Sequence, residues 1–135
     1  MTLARGPRNP ARFPRSARLL RRADFERVYR QGRKHFTGNM TVFFLRRDPP
    51  PSGPRVGLTV GRALGGAVVR NRIRRRMREA LRLGLSGLQI SADLVLHPRK
   101  PVLEAEFAGL CAEVKDALAA IAAKLEKEGT RPGAR

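Results

Sequence analysis

Apolar residues recur along this chain with two different periods. In ADFERVYRQG, Phe25, Val28 and Tyr29 stand at i, i+3 and i+4, which places them on one helix face. The spacing predicts a short amphipathic helix over 23–31, stopped by Gly32. Between Phe36 and Leu45 the β-branched and aromatic content rises, and MTVFFL reads as a strand. Its alternation puts Thr41, Phe43 and Leu45 on one face and Val42 and Phe44 on the other. RRDPPPSGP is a turn by composition. RVGLTVG alternates Val56, Leu58 and Val60 with Gly57, Thr59 and Gly61, which predicts a second strand in an antiparallel hairpin with the first.

A Gly65-Gly66 loop leads into AVVRNRIRRRMREALRLG, where Val69, Ile73, Met77, Ala80 and Leu81 recur at helical spacing and Gly84 closes the run. DLVLH, residues 93–97, fits a third strand ending at Pro98. Phe107, Leu110, Val114, Leu118, Ile121 and Leu125 then mark a long amphipathic helix. Another short strand has room within 35–47 or around Leu88–Ile90. No repeat of solenoid length is present. The order helix, strands, helix, strand, helix predicts one α+β domain. It is expected over 18–127, between a basic arm (1–17) and a C-terminal tail (128–135).

Composition narrows the class. A length of 135 residues with 41% hydrophobic content suffices for one core. No run reaches the ~18 apolar residues of a membrane span, and the Arg/Pro-rich start lacks a signal peptide's apolar stretch. A cytoplasmic protein is therefore expected. One cysteine, Cys111, excludes an internal disulfide and a multi-cysteine zinc site. The net charge is +18, and residues 1–82 hold 22 Lys+Arg against 4 Asp+Glu while residues 83–135 hold 7 of each. A GC-rich genome explains arginine over lysine but not an excess of one sign. A polyanion is the expected partner, nucleic acid before an anionic membrane.

The charge converges on the second helix. At about 100° per residue, Val69, Met77 and Ala80 fall within about 40° of Ile73, with Leu81 near 80°. Asn71, Arg74, Arg75, Arg78 and Arg82 fall between about 100° and 200°, opposite that stripe. Like charges at i, i+4 such as Arg74 and Arg78 weaken a helix by a few tenths of a kcal/mol, ~0.2–0.5 per pair. Bound phosphates would offset this. A helix entered from a strand through a Gly-Gly loop is not the short-helix, tight-turn unit of a major-groove reader, so RNA is favoured over duplex DNA.

The run GLTVGRALGGAVVRNRIRRRMREALR resembles the signature region of the bacterial ribonuclease P protein component, in which an Arg-Asn-Arg helix follows a Gly-Leu-Ser/Thr-Val strand. Here these are Arg70-Asn71-Arg72 and Gly57-Leu58-Thr59-Val60. RLLRRADFERVYRQGR upstream and ADLVLHPRKP downstream extend the resemblance over roughly 13–125. It implies a two-layer α/β sandwich with a four-stranded sheet and a left-handed crossover through the arginine-rich helix, like the second domain of ribosomal protein S5. It also implies a role in removing 5′ leaders from precursor tRNA, one protein with one catalytic RNA subunit. That RNA, with Mg²⁺ bound mainly by it, performs the hydrolysis, and the protein adds no catalytic residue and no metal site.

The resemblance assigns Arg62, Arg70, Asn71, Arg72, Arg74, Arg75 and Arg78 to the RNA-subunit surface. It assigns Phe25, Tyr29 and Phe43 to a cleft for the precursor's leader, although by spacing alone the two phenylalanines read as core. Two positions depart from the family pattern. Gly61-Arg62-Ala63 stands where relatives carry two adjacent basic residues, and Gly65-Gly66 replaces a Gly-Asn, removing a side-chain cap.

No catalytic constellation of side chains is visible. His35 and His97 lack neighbouring ligands and read as surface or turn histidines. Asp93 and His97 would lie about 13 Å apart along one strand face, too far to pair. Cys111 reads as a small apolar packing group, and Glu104 and Glu106 suit the start of the last helix. Neither a small-molecule substrate nor a membrane is expected. The alternative function is a non-enzymatic RNA-binding ribosomal or RNA-chaperone protein, which would use the same charge without a leader cleft.

Overall fold

A strand that is apolar at consecutive positions needs cover on both faces, and DLVLH becomes the centre of the molecule for that reason. The computed structural model describes residues 21–48 and 53–130; the expected arm (1–17), residues 49–52 of the Pro-rich turn and residues 131–135 lie outside them. The elements are α1 (Arg22–Gln31), β1 (Arg33–Phe36), β2 (Met40–Arg46), β3 (Pro54–Leu58), α2 (Ala67–Gly84), β4 (Ala92–Pro98) and α3 (Phe107–Thr130). Short 3-10 turns at Arg62–Leu64 and Lys100–Leu103 precede α2 and α3. The last helix thus runs into the segment expected as a tail.

The sheet order is β1-β2-β4-β3. β4 pairs antiparallel with β2, Val42 opposite Leu96 and Phe44 opposite Leu94, and parallel with β3, Val56 opposite Leu94. The expected hairpin between the MTVFFL and RVGLTVG strands is therefore incorrect. β4 lies between them, because its two apolar faces and both of its hydrogen-bonding edges are satisfied only in a central position. α2 is the crossover that joins the parallel neighbours β3 and β4. The additional strand is β1, at the start of the segment where one had room, and Leu88–Ile90 holds none.

One face of the sheet carries Met40, Val42, Phe44, Val56, Leu94 and Leu96 against Ile73, Met77 and Leu81 of α2 and Leu110, Val114, Leu118 and Ile121 of α3. Cys111 packs at the margin of this core, as expected for a small apolar group. Glu113 of α3 ties down the β1–β2 turn, accepting the Thr37 hydroxyl, the Asn39 backbone N–H at 2.7 Å and the Asn39 side-chain amide at 2.6 Å. Burial raises the Glu113 pKa, but these donors and Arg99 outweigh it and hold the carboxyl below its usual range.

The opposite face is covered only in part, by α1. Its apolar contact is small: Val28 and Val95 are buried, with Phe25, Phe43 and Leu45 partly so. Gly32 lets the helix end tight against β2, since a Cβ there would lie 2.6 Å from the Phe44 and Val28 carbonyl oxygens. Electrostatics complete the attachment. Asp93, 1% exposed, accepts Arg55 Nε and a terminal nitrogen of Arg55 at 2.9 Å each, Arg47 Nε at 3.1 Å and Arg27 at 3.1 Å. Arg27 also holds Asp24 at 3.1 Å. One carboxylate thus links β4 to α1, to β3 and to Arg47 just beyond the end of β2.

Burial by itself raises the pKa of Asp93, but the hydrogen bonds and charges of Arg55, then Arg27 and Arg47, prevail and leave it below the ordinary value. Its stabilisation is therefore complete above the ordinary carboxylate pKa and is lost as pH falls through the lower, folded-state value. Asp93→Asn leaves guanidinium groups facing a neutral amide and is expected to cost about 3–5 kcal/mol. Urea unfolding at neutral and acidic pH measures both effects, with the gap between the variant and the parent narrowing in acid.

Candidate nucleic-acid interface

α2 displays its arginines because its apolar stripe is fully engaged. Ile73, Met77, Ala80 and Leu81 are buried, so residues on the far side must face solvent. Asn71, Arg72, Arg75 and Arg78 are exposed, as is Arg62 in the preceding 3-10 turn, while Arg70 and Arg74 are half-buried. Among the described residues, the guanidinium groups of Arg62, Arg72, Arg75 and Arg78 have no hydrogen bond or ion pair with protein. Asn71 accepts from Arg74 at 2.7 Å, which orients that guanidinium along the ridge. Arg70 donates to the Gly65 carbonyl at 3.1 Å and braces the loop below the first turn.

Not every arginine of the run is available. Arg76 donates to the carbonyls of Val102 and Ala105 and lies over the Phe107 ring, 5.7 Å from its centroid. It fastens α2 to the turn before α3. Arg82 is paired with Glu79, which raises the arginine's pKa and lowers the glutamate's, each chiefly through their mutual hydrogen bond. The helix start lacks a side-chain cap at Gly66, as the Gly-Gly departure implied. Gly65 takes φ 139°, a backbone region that disfavours residues with a Cβ.

The second group of expected site residues comes together on the other face of the sheet. Tyr29, 40% exposed, meets Phe43 edge-on at 5.1 Å between centroids and Phe25 at 6.5 Å. Phe25 and Phe43 are each half-buried: one side packs on Val28 and Val95 and the remainder faces the cleft beside α1. Phe25 and Phe43 thus combine core packing with ring surface that stays accessible. The Lys34 ammonium sits 5.5 Å from the Phe43 centroid.

His97 also belongs to this cluster, which the sequence reading as a surface or turn residue missed. Its Nε2 lies 2.8 Å from the Tyr29 hydroxyl, and that hydroxyl is 3.1 Å from Thr59 Oγ1. The imidazole centroid is 4.9 Å from Phe43 and 5.4 Å from Tyr29. The available signal was alternation, because His97 falls two residues after Val95 on the same strand face. That signal becomes useful only once β2 is known to pair with β4, which sets His97 opposite Thr41. His35 is on β1, with the Lys124 ammonium 3.1 Å from its Nδ1.

Ridge and cleft lie on opposite sides of the sheet but meet at one end of it. Thr59 immediately follows β3, borders Tyr29, and leads through Arg62 into α2. Among the described residues no three His, Cys, Asp or Glu side chains are grouped so as to hold a metal ion. No helix among them is long and apolar enough to cross a membrane.

Burial lowers the His97 pKa, and burial followed by the Lys124 charge lowers that of His35. The folded state therefore resists protonation, and this contribution to stability is complete above the ordinary value of 6.5 and declines as pH falls below it. Proton NMR of the imidazoles should show both titrating below 6.5. His35→Gln with His97→Gln should flatten stability against pH in that window.

A basic chain with one four-stranded sheet, an arginine ridge on one side and an aromatic cleft on the other defines an α+β protein built for RNA. The Ribonuclease P family profile matches residues 13–122, and the chain belongs to that family. It is 43% identical over 83 residues to the ribonuclease P protein component of Maridesulfovibrio salexigens, spanning 62% of this chain and 67% of that one. With the corresponding protein of Desulfovibrio desulfuricans the identity is 39% over 104 residues, 76% of this chain and 80% of that one. The solved RNase P protein from Thermotoga maritima superposes with a TM-score of 0.66 at 27% identity, covering 75% of this chain and 94% of that one. The Staphylococcus aureus RNase P protein has the same fold, with a TM-score of 0.67 at 24% identity over 78% of this chain and 94% of that one. Membership makes this chain a protein component of ribonuclease P, the tRNA-processing nuclease.

Proposed function

We propose that α2 binds the catalytic RNA subunit, one protein per RNA, and that the cleft between α1 and the sheet takes the 5′ leader of precursor tRNA. In this cytoplasmic ribonucleoprotein, hydrolysis belongs to the RNA with Mg²⁺ held mainly by it, and the protein contributes affinity and placement. The observation that carries the reading is the set of guanidinium groups on Arg62, Arg72, Arg75 and Arg78, unpartnered among the described residues, beside an uncapped helix start. Arginine binds phosphate in bidentate fashion, and backbone N–H groups at a helix N-terminus favour anions. Arg70, Asn71 and Arg74 act with them, Asn71 by orienting Arg74.

For the leader, Tyr29, Phe43 and Phe25 offer ring surface, and His97 with Thr59 fixes the tyrosine hydroxyl. Single strands are gripped by stacking on such rings next to positive charge. The flexible, unpaired leader is the part of a precursor tRNA that can present its bases in this way.

The deciding experiment is cleavage of a 5′-extended precursor by the cognate RNA subunit at low Mg²⁺, with and without the protein. The protein should raise the rate and confer leader-dependent affinity, and the absence of both would refute the assignment. Arg75→Ala with Arg78→Ala should weaken binding of the RNA subunit. It should also flatten the salt dependence by about 0.7–0.9 log unit for each phosphate that is no longer neutralised. Tyr29→Ala with Phe43→Ala should instead weaken leader binding by ~1–3 kcal/mol per base that no longer stacks, leaving binding to the RNA subunit alone intact. Competition binding with extended and leaderless tRNA separates the two effects.

A further inference from the structure

The cleft does not end at Phe43. β1 continues the same sheet face outward, and its register sets Phe36 opposite Thr41 and Lys34 opposite Phe43. Thr41 is in turn opposite His97, so Phe36, Thr41 and His97 form one row across three strands. Neighbouring strands lie about 4.8 Å apart, which puts Phe36 roughly 10 Å from His97. Phe36 and Phe43 are diagonal neighbours, a placement within reach of aromatic side chains.

Phe36 is 66% exposed, unusual for a phenylalanine with a buried core close by. Phe43, by contrast, packs against the buried Val28–Val95 pair. On the sheet face that Phe36 occupies, opposite the side where Glu113 holds the turn, the neighbouring charge is positive. Lys34 shares its strand face, and Arg99 donates to Thr41 Oγ1 at 2.8 Å. The acids of α1 and of this strand face, Asp24, Glu26 and Asp93, are already bound to arginines. A second protein strand adding to β1 is disfavoured by the Arg33-Lys34 pair on that short edge, whereas a polyanion is favoured by it.

We propose that Phe36 is a further stacking platform for the precursor's single-stranded leader, with Lys34 as its phosphate contact. The leader track then crosses the sheet from Tyr29 and His97 on the inside to the outer strand. This rests on the leader-cleft reading above and extends it to an element that reading does not use. Exposure of Phe36 makes its substitution harmless to the core, so folding does not confuse the test.

The test uses the reconstituted holoenzyme and precursor tRNAs whose leaders are shortened one nucleotide at a time to none. The quantity read is the ratio of affinity for extended over leaderless tRNA. Phe36→Ala is expected to lower that ratio about fivefold or more for the longest leader, the scale of one base that no longer stacks. The effect should vanish once the leader no longer reaches the outer strand. Phe36→Trp should restore the ratio, and Phe36→Leu should not. An unchanged ratio for Phe36→Ala, with Tyr29→Ala still lowering it, overturns the proposal and leaves the cleft reading standing. If neither variant lowers it, both readings fail. A change in the protein's sedimentation on Phe36→Ala would show the ring to be a self-contact and would also overturn the proposal.

Discussion

The carboxylate of Asp93 is the interaction on which the arrangement of this molecule depends. Burying it unpaired would cost several kcal/mol, and the bidentate Arg55 with Arg27 and Arg47 removes that penalty by charge-assisted hydrogen bonds. Those partners come from α1, from β3 and from the residue that follows β2, so the carboxylate sets where α1 lies on the sheet. The helix has little else to hold it, since its apolar contact centres on Val28 and Val95. A larger apolar interface would have secured α1 more simply, but it would have buried the rings of Tyr29 and Phe43. Attachment by charge at one end of the helix leaves aromatic surface open at the other.

The same logic explains why so many arginines are present and why they are not equivalent. Arg27, Arg47 and Arg55 bind buried acid, Arg76 and Arg99 bind backbone carbonyls, and Arg70 braces a loop. The guanidinium groups of Arg62, Arg72, Arg75 and Arg78 bind nothing among the described residues. Part of the +18 charge is therefore engaged in the scaffold, and the N–H donors open to a phosphate come from the residues left over. The two uses are separable by geometry, because a guanidinium satisfied by carbonyls keeps its charge but has fewer N–H groups to offer a phosphate.

Periodicity in the sequence reveals the helices and the three longer strands, because each element buries one face and the spacing of Ile73, Met77 and Ala80 or of Val42 and Phe44 records it. Strand order is not legible. A parallel pair joined through a helix leaves no local mark, whereas two strands flanking a proline-rich turn look like a hairpin, which hides the central place of β4. The same gap hides His97, whose position beside Tyr29 follows only from the β2–β4 register. The arginine ridge is legible as a face, since the helix angle alone separates it from the stripe. Which of its members are already engaged is not, because Arg76 finds its carbonyl partners 26 and 29 residues further along the chain.

The crossover also couples the two surfaces. Because β3 and β4 run parallel, the end of β3 lies beside His97 near the end of β4, with the Thr59 N–H donating to the Leu96 carbonyl at 3.0 Å. The chain leaving β3 contributes Thr59 to the aromatic cluster, Arg62 to the basic surface and then the first turn of α2, all between residues 59 and 70. Val60, buried in the main core, pins this segment midway. On the assignment proposed above, a single strand held at Tyr29 would stand at a set displacement from an RNA held along α2, because Val60 is buried between the two contributions. Placement of the leader relative to the RNA subunit would then be a property of one short, anchored stretch of backbone.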